Sequence, residues 1–419
     1  MNENSALIPC EIDIAIIGAG PQALTLVAHL LQKRKSMRRR FVVFDPSGGW
    51  LTQWCHQFAA LEIPHLRSPA VHHPDPDPFA LRRFAQTRDR ELFPPYDLPG
   101  TKLFQDFCEK TIARWQLENR VVAAKVRRIE PLFGKRRDRF RLALEGAKSE
   151  VMARRVVLAT GGGTPHFPDW VSRIQTPYPS DRLCHSHQID LRQLQLHGER
   201  VLIIGGGLTA GHLAIGALKR GAKVMLMMKR QLQEKLFDAD PGWLGPKYLK
   251  EFSREANWVA RWRAIASARN GGSMTPEVAT QLRRESHRGN LAIYESCEVV
   301  SARWENRQWR IMCDDGAVYE CDRIGLATGT RLDVAAEPLL SEVCQVYPPE
   351  SVGGLPVLDE YLRWPGCELF VMGGLAALQV GPVARNLAGA RMASDRISVA
   401  LTKPSLRRSL GGNYTLAAK

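Results

Sequence analysis

The sequence predicts an α/β protein built from two Rossmann-like, doubly wound units and a smaller helical region, and three observations predict it. An apolar run, a glycine turn and a helix-spaced apolar stretch occur near residue 13 and again near residue 201. Each is followed by a further apolar run, Phe41-Val-Val-Phe and Lys223-Val-Met-Leu-Met-Met, which completes a strand, turn, helix and strand. An Ala-Thr-Gly also ends an apolar strand twice, at Ala159 to Gly161 and at Ala327 to Gly329.

Composition agrees with a folded chain of more than one core. The 419 residues are 44% hydrophobic and 24% charged, which excludes wholesale disorder and fibrous repeats. No apolar stretch approaches the roughly 18 to 20 residues of a membrane-spanning helix. The 58 Lys and Arg against 43 Asp and Glu give a net charge of +15, which favours anionic partners: nucleic acid, acidic lipid or a phosphorylated cofactor. Six of the eight residues from Lys33 to Arg40 are basic, but they fall where a helix should end and complement its dipole. No nucleic-acid-binding pattern accompanies them, so no nucleic-acid partner is expected. The nine cysteines form no Cys-x-x-Cys pair, which argues against a disulfide framework and against a zinc ribbon, and no metal site is expected. Met1 to Cys10 lacks the features of an export signal, so the cytoplasm is the expected location.

The first unit carries Gly18, Gly20, Pro21 and Gln22 in its turn, and its second strand ends on Asp45, 27 positions after Gly18. Gly18 makes the tight turn and Gly20 lets backbone amides approach a diphosphate at the helix start, while Asp45 accepts from a ribose hydroxyl. The second unit places Gly205, Gly207, Leu208 and Thr209 in the same positions, but its strand ends in Lys229-Arg230. Two cations there favour the 2′-phosphate of NADPH, although exposed loop cations without a role fit the same residues. An acid in one unit and bases in the other look like an FAD site followed by an NADPH site. Near the C-terminus Glu368 to Gly374 reads as a strand and glycine turn. Beyond Gln379, Gly381-Pro382 is expected to open a helix aimed at the flavin ring. The expected organisation is a first part of an FAD domain over 1–165 and an NADPH domain over 195–330 with a helical insert near 237–290. The second part of the FAD domain is expected over 331–405.

The chain resembles the class B flavin monooxygenases, most closely the N-hydroxylating branch with the ornithine and lysine N-monooxygenases of siderophore synthesis. The resemblance rests on Gly18-Ala-Gly-Pro-Gln-Ala-Leu-Thr-Leu, the Trp50 to Ala85 stretch, Cys184-His-Ser-His-Gln and Gly205-Gly-Gly-Leu-Thr-Ala, and runs in patches over about residues 12 to 400. It implies an FAD domain drawn from both chain ends, an inserted NADPH domain and a small helical substrate region. It further implies that O2, activated at the flavin C4a as a hydroperoxide, delivers one atom to a small nucleophilic substrate, an amine. The chain departs from the family at Leu208-Thr-Ala-Gly-His212, where Gln-Ser-Ala-Ala-Glu is usual. It also has Gly373-Gly374 for the usual Gly-Asp, and Thr87 near the place of a substrate-binding lysine.

Five prolines between Pro64 and Pro78 predict an extended, rigid loop. Its Arg67, Ser68, His72 and His73 stand as an active-site wall over the flavin, or as surface-loop residues without a role. Arg67, Ser68, His72 and, from the second region, His185 are the candidates to hydrogen-bond the activated oxygen. Trp50 and Trp54 stack near the flavin or pack in the core. Phe237 to Phe252, with Trp258 and Trp262, belongs to the substrate region, where Asp238 and Asp240 meet a cationic amine or cap helices. Three functions fit: a monooxygenase acting on a small molecule with O2, an NADPH oxidase or reductase, and a non-catalytic flavin-binding protein. A homo-oligomer is compatible with all three.

Overall fold

The computed structural model describes residues 9–134, 138–146, 150–161, 163–269 and 271–403. The expected features at residues 1–8 and 404–405 lie outside them. Strands Val121–Ala123, Phe41–Asp45, Glu11–Ile17, Val151–Leu158 and Leu369–Val371 form a parallel sheet in that spatial order. Ile14, Ala15 and Ile16 are wholly buried, as befits a central strand covered on both faces. The last strand begins at Leu369, 208 residues after Gly161 (369 − 161), so the second unit is inserted between two neighbouring strands of this sheet, and the register Val371↔Leu158 aligns it with Ile17↔Leu158. The carboxyl ends of the five parallel strands therefore meet at one edge. The outer half of Val151–Leu158 pairs instead with an antiparallel meander, Val126–Leu132 and Arg139–Leu144.

The second sheet is wholly parallel, in the order Leu183–His185, Arg323–Leu326, Arg200–Ile204, Lys223–Met228, Leu291–Glu295. Its first strand begins upstream of residue 195, and the three residues Leu183-Cys184-His185 give no apolar run long enough to read as a strand. A meander of Val299–Glu305, Gln308–Cys313 and Val318–Cys321 covers one face, and helix Leu208–Lys219 the other. Helices Pro246–Arg254, Trp258–Arg269 and Pro276–His287 run between its last two parallel strands.

The two sheets are tied where the chain passes between them. The segment after the first Ala-Thr-Gly pairs with the one after the second, in antiparallel register Thr330↔Pro165 and Arg331↔Thr164. Both Ala-Thr-Gly segments also sit under a glycine turn. A Cβ on Gly18 would stand 2.7 Å from Ala159 O, and one on Gly205 would strike Ala327 O.

Two expectations about local structure are corrected. The proline-rich segment is not extended: turns fold it back, with Ala70 N donating to Asp97 O at 3.0 Å and His72 N to Pro69 O at 2.9 Å. Arg391 holds it there through Asp75 O at 2.6 Å and Pro76 O at 2.9 Å. Prolines fix φ but leave the residues between them free to turn, and the Asp75 and Asp77 carboxylates accept from backbone amides two residues on. Pro382 does not open a helix either. Gly381 has φ +93°, which breaks the short helix Ala377–Val380, and two turns intervene before helix Leu387–Thr402.

Candidate functional site

Both glycine turns end in a helix start that the protein itself leaves unsatisfied. Helix Pro21–Lys33 has Gly20 as its N-cap and helix Leu208–Lys219 has Gly207, and neither has a side-chain cap. Amides of the first helical turn lack intrahelical acceptors, which makes each end a site for an anion. A Cβ on Gly20 or on Gly207 would meet nothing within 4 Å. No protein atom requires glycine there, so the space serves something else. Gln22 adds a buried acceptor, Oε1, with no protein donor, while its Nε2 donates to Ala384 O at 3.3 Å. An unpartnered buried acceptor beside an open helix start fits a bound dinucleotide.

Asp45 stands at the same sheet edge. Its Oδ2 accepts from Ala19 N at 3.0 Å, and its Oδ1 from Ser47 N at 3.0 Å and Ser47 Oγ at 2.6 Å. The carboxylate is thereby fixed in orientation beside the turn. Trp50 and Trp54 have protein partners. Trp50 Nε1 donates to Leu117 O at 2.9 Å, and Trp54 stacks on Phe58 with ring centroids 4.0 Å apart. Gln379 lines an open cavity of about 500 Å³ with Ser253, Glu360, Tyr361 and Arg396, which includes no residue of either glycine turn. The Gln379 side chain donates to Leu358 O at 2.5 Å. Gly381 faces the helical insert, where an added Cβ would approach Leu249 at 3.5 Å and Trp243 and Phe252 at 3.8 Å.

In the second unit Gly205, Leu208 and Thr209 are half-buried around the turn. Lys229 and Arg230 are exposed at the strand tip. Lys229 is ion-paired with Glu298 on the neighbouring segment. A Cβ on Gly271 would stand 2.6 Å from an Arg230 guanidinium nitrogen, and one on Gly272 would stand 3.4 Å from Gly207 Cα. The 271–272 loop therefore lies directly against the second glycine turn.

The four residues chosen from sequence to meet an activated oxygen are not brought together. Arg67 spends its guanidinium on Leu236 O at 2.8 Å, Asp238 Oδ1 at 2.6 Å, Ser273 Oγ at 2.8 Å and Lys235 O. It ties the proline-rich loop to the loop on the second turn, with half-buried Ser68 beside it. His72 and His73 belong with Arg391 instead. His73 is wholly buried, edge-on to Phe107 at 4.9 Å, and burial together with Arg391 pushes both imidazoles down to about 4. His185 is buried, and both ring nitrogens are engaged by backbone: Nδ1 accepts from His187 N at 3.3 Å and Nε2 lies 3.0 Å from Gly329 O. The first contact makes Nδ1 the acceptor, so Nε2 carries the proton and donates. That arrangement fixes the second crossing segment rather than presenting a proton.

Two cations that sequence reading passed over face the space between the units. Arg269 Nη1 donates to Pro382 O at 3.0 Å, and Arg385 Nη2 donates to Thr330 Oγ1 at 2.8 Å. Arg385 was hidden by the expected helix, whose pitch would have made it one more surface cation. Among the described residues no cluster of three His, Cys, Asp or Glu could hold a metal, and no helix is long and apolar enough to cross a membrane. Cysteines far apart in sequence do meet, since Cys297 and Cys313 Sγ atoms lie 3.0 Å apart in the second-unit meander. Burial and the Cys297 neighbour push the Cys313 thiol up to about 12, so it holds its proton.

A family model described as FAD-NAD(P)-binding matches residues 15–163. No curated protein sequence matches the chain. Among solved structures it is similar to ornithine hydroxylase from Pseudomonas aeruginosa, with 16% identity, 93% of this chain and 98% of that chain covered, and a TM-score of 0.75. It is similar to ornithine N-hydroxylase from Kutzneria sp. 744, solved with reduced FAD, NADP+ and L-ornithine, at 18% identity, 93% and 99% coverage and a TM-score of 0.76. It is similar as well to the cadaverine monooxygenase of desferrioxamine biosynthesis from Erwinia amylovora, bound to FAD, at 16% identity, 94% and 95% coverage and a TM-score of 0.74. The chain thus carries an FAD-NAD(P)-binding unit within the fold of the two-dinucleotide flavin-dependent N-hydroxylases.

Proposed function

We propose that the protein is an FAD- and NADPH-dependent monooxygenase that transfers one oxygen atom of O2 to a nucleophilic nitrogen of a small molecule. The observation that carries this reading is the pair of uncapped helix starts at Gly20 and Gly207, on sheet edges joined by the crossing segments at Thr164–Pro165 and Thr330–Arg331. One rigid frame then holds two dinucleotides toward a common cleft. FAD would be held by the Gly18 to Gln22 turn and Asp45, and NADPH by the Gly205 to Thr209 turn with Lys229 and Arg230. Bound flavin supplies the two-electron chemistry that links NADPH to O2. The chain's own part is to position the substrate and keep water out. The proline-rich loop and the 271–273 loop, locked together by Arg67, wall the cleft, and Trp243 and Phe252 of the insert cover Gly381.

The reading is tested by loading the protein with FAD, supplying NADPH and 18O2, and offering a series of diamines and basic amino acids. NADPH oxidation coupled to an 18O-labelled hydroxylamine is the expected result. Rapid electron transfer to quinones, with no labelled product from any amine, would replace it with the reductase reading.

A further inference from the structure

Two thiols meet in the second unit, where the chain enters its antiparallel meander. The Sγ atoms of Cys297 and Cys313, 16 positions apart in sequence, lie 3.0 Å from each other, and Met227 Sδ lies 3.9 Å from Cys313 Sγ. Both cysteines are enclosed, Cys297 to 8% exposure and Cys313 to 2%, in the cluster that holds Met227, Trp309 and Ile311.

The backbone fixes this approach. Cys297 N donates to Met228 O at 3.0 Å, which anchors the first thiol to the end of strand Lys223–Met228, and Cys313 N donates to Ala317 O at 3.0 Å. One residue further along, Glu298 and Asp314 clasp the two segments together: Asp314 N donates to Glu298 O at 2.9 Å and Glu298 N to Asp314 Oδ1 at 3.0 Å. Strand Gln308–Cys313 pairs with Val299–Glu305, with Val299 opposite Cys313. Segments at antiparallel strand spacing fall within the Cα separation that a disulfide spans, and closing these sulfurs to a bond takes about 1 Å of movement. Packing alone asks only for two small apolar groups here, and two sulfurs within reach of a bond add redox chemistry.

We infer that Cys297 and Cys313 are an oxidation site, which a peroxide converts to a disulfide that fastens the meander to the tip of the strand leading to Lys229. In the first step the Cys297 sulfur, the more exposed of the two, attacks a peroxide oxygen. The S–O bond forms, the O–O bond breaks, and the departing hydroxide takes the Cys297 proton to leave as water. In the second step the Cys313 sulfur attacks the Cys297 sulfenic acid. The S–S bond forms, the S–O bond breaks, and the Cys313 proton leaves with the hydroxide as a second water. Two thiols lose two electrons in all, and one hydrogen peroxide gains them. Burial and the Cys297 neighbour keep the proton on Cys313 until that step. The short separation makes the second step intramolecular, so the neighbouring thiol rather than a second peroxide meets the sulfenic acid. The monooxygenase reading would supply peroxide from O2, but the site does not depend on that reading.

The test treats the reduced full chain, loaded with FAD, with hydrogen peroxide. Remaining thiols are blocked with N-ethylmaleimide under denaturing conditions, and the intact mass and a non-reduced peptide map are read. Blocked thiols should fall by two from the nine of the sequence, the map should join the peptides of Cys297 and Cys313, and dithiothreitol should restore both thiols. The disulfide closes a loop, so the oxidised protein should have an unfolding constant about 100-fold smaller than the same sample after dithiothreitol, read as a higher urea midpoint. Cys313→Ala should stop the reaction at the Cys297 sulfenic acid, trapped by dimedone, and Cys297→Ala should leave Cys313 a free thiol. Should either variant fail to fold, the map of the wild-type chain carries the test alone. Peroxide treatment that leaves all nine thiols free, that joins other cysteines, or that adds oxygen to Met227 while sparing the pair overturns the inference. So does a disulfide whose formation leaves the midpoint unchanged or lowers it, since the fold would then not be built to accept it. Because peroxide is added directly, the absence of an 18O-labelled hydroxylamine bears on the monooxygenase reading alone.

Discussion

At the scale of single residues, the two glycines of the first turn have different reasons to be glycine, and they should fail differently. Gly18 has φ +99° and no room for a Cβ against Ala159. Gly18→Ala is expected to cost about 1 to 3 kcal/mol through backbone strain alone, read as a lower urea midpoint. Gly20 has φ −77° and open space around its missing side chain. Gly20→Val should lower the stability of the flavin-free protein by no more than about 1 kcal/mol, the loss of a favourable N-cap residue. It should lose FAD, because the branched side chain fills the diphosphate approach. A Gly20→Val protein that retains full yellow colour would remove FAD from this turn. This division between a structural and a ligand-facing glycine was half legible in the sequence. The Gly-x-Gly spacing marked the turn, but only the position of Ala159, 141 residues from Gly18 along the chain, reveals which glycine the protein needs for itself.

At the scale of elements, the parallel strands announced themselves through continuous apolar runs, as at Ile14 to Ile17 and Val201 to Ile204, because both of their faces are buried. The proline-rich loop and the segment after Gly381 were not legible. The shape of the first is decided by a partner distant in sequence, Arg391, and that of the second by the left-handed backbone of Gly381 and the close approach of Val383 O to Gly389. The same limit applies at the tip of strand Lys223–Met228. Sequence shows Lys229 and Arg230, and the fold adds that Lys229 already has Glu298 as counterion. A 2′-phosphate must compete with that exposed carboxylate. Alanine at both cations should raise the KM for NADPH about tenfold or more and leave that for NADH nearly unchanged. Glu298→Gln should act in the opposite direction, lowering the NADPH KM a few-fold by releasing Lys229. Steady-state NADPH oxidation in air measures both. Equal changes for the two cofactors would place the 2′-phosphate elsewhere.

At the scale of the whole molecule, burial of neutral imidazoles in both units couples stability to pH. His73, wholly buried in the first unit, and His212, buried in helix Leu208–Lys219 of the second, are both held down to about 4, chiefly by desolvation. Arg391 adds to the effect at the first, and His65 at the second. The folded values lie below the ordinary 6.5, so the unfolded chain binds more protons throughout the interval. Stability is therefore full above about pH 6.5, falls as pH drops, and stops falling from this cause near pH 4. Each histidine contributes a slope of up to about 1.4 kcal/mol per pH unit where it is protonated only in the unfolded chain. Carboxylates held below their ordinary range, such as Glu62 beside Arg220 and Asp395 beside His29, lose stability at lower pH, so the interval from pH 6.5 to 5 isolates the histidines. Urea midpoints measured across that interval should drop steeply, and His212→Gln should remove about one proton from the slope while leaving the part due to His72 and His73. Because His72 and His73 lie in the first unit and His212 in the second, both units should soften over the same pH range, and flavin release should track unfolding. A midpoint independent of pH between 6.5 and 5 would mean that the buried imidazoles take up protons without loss of the fold.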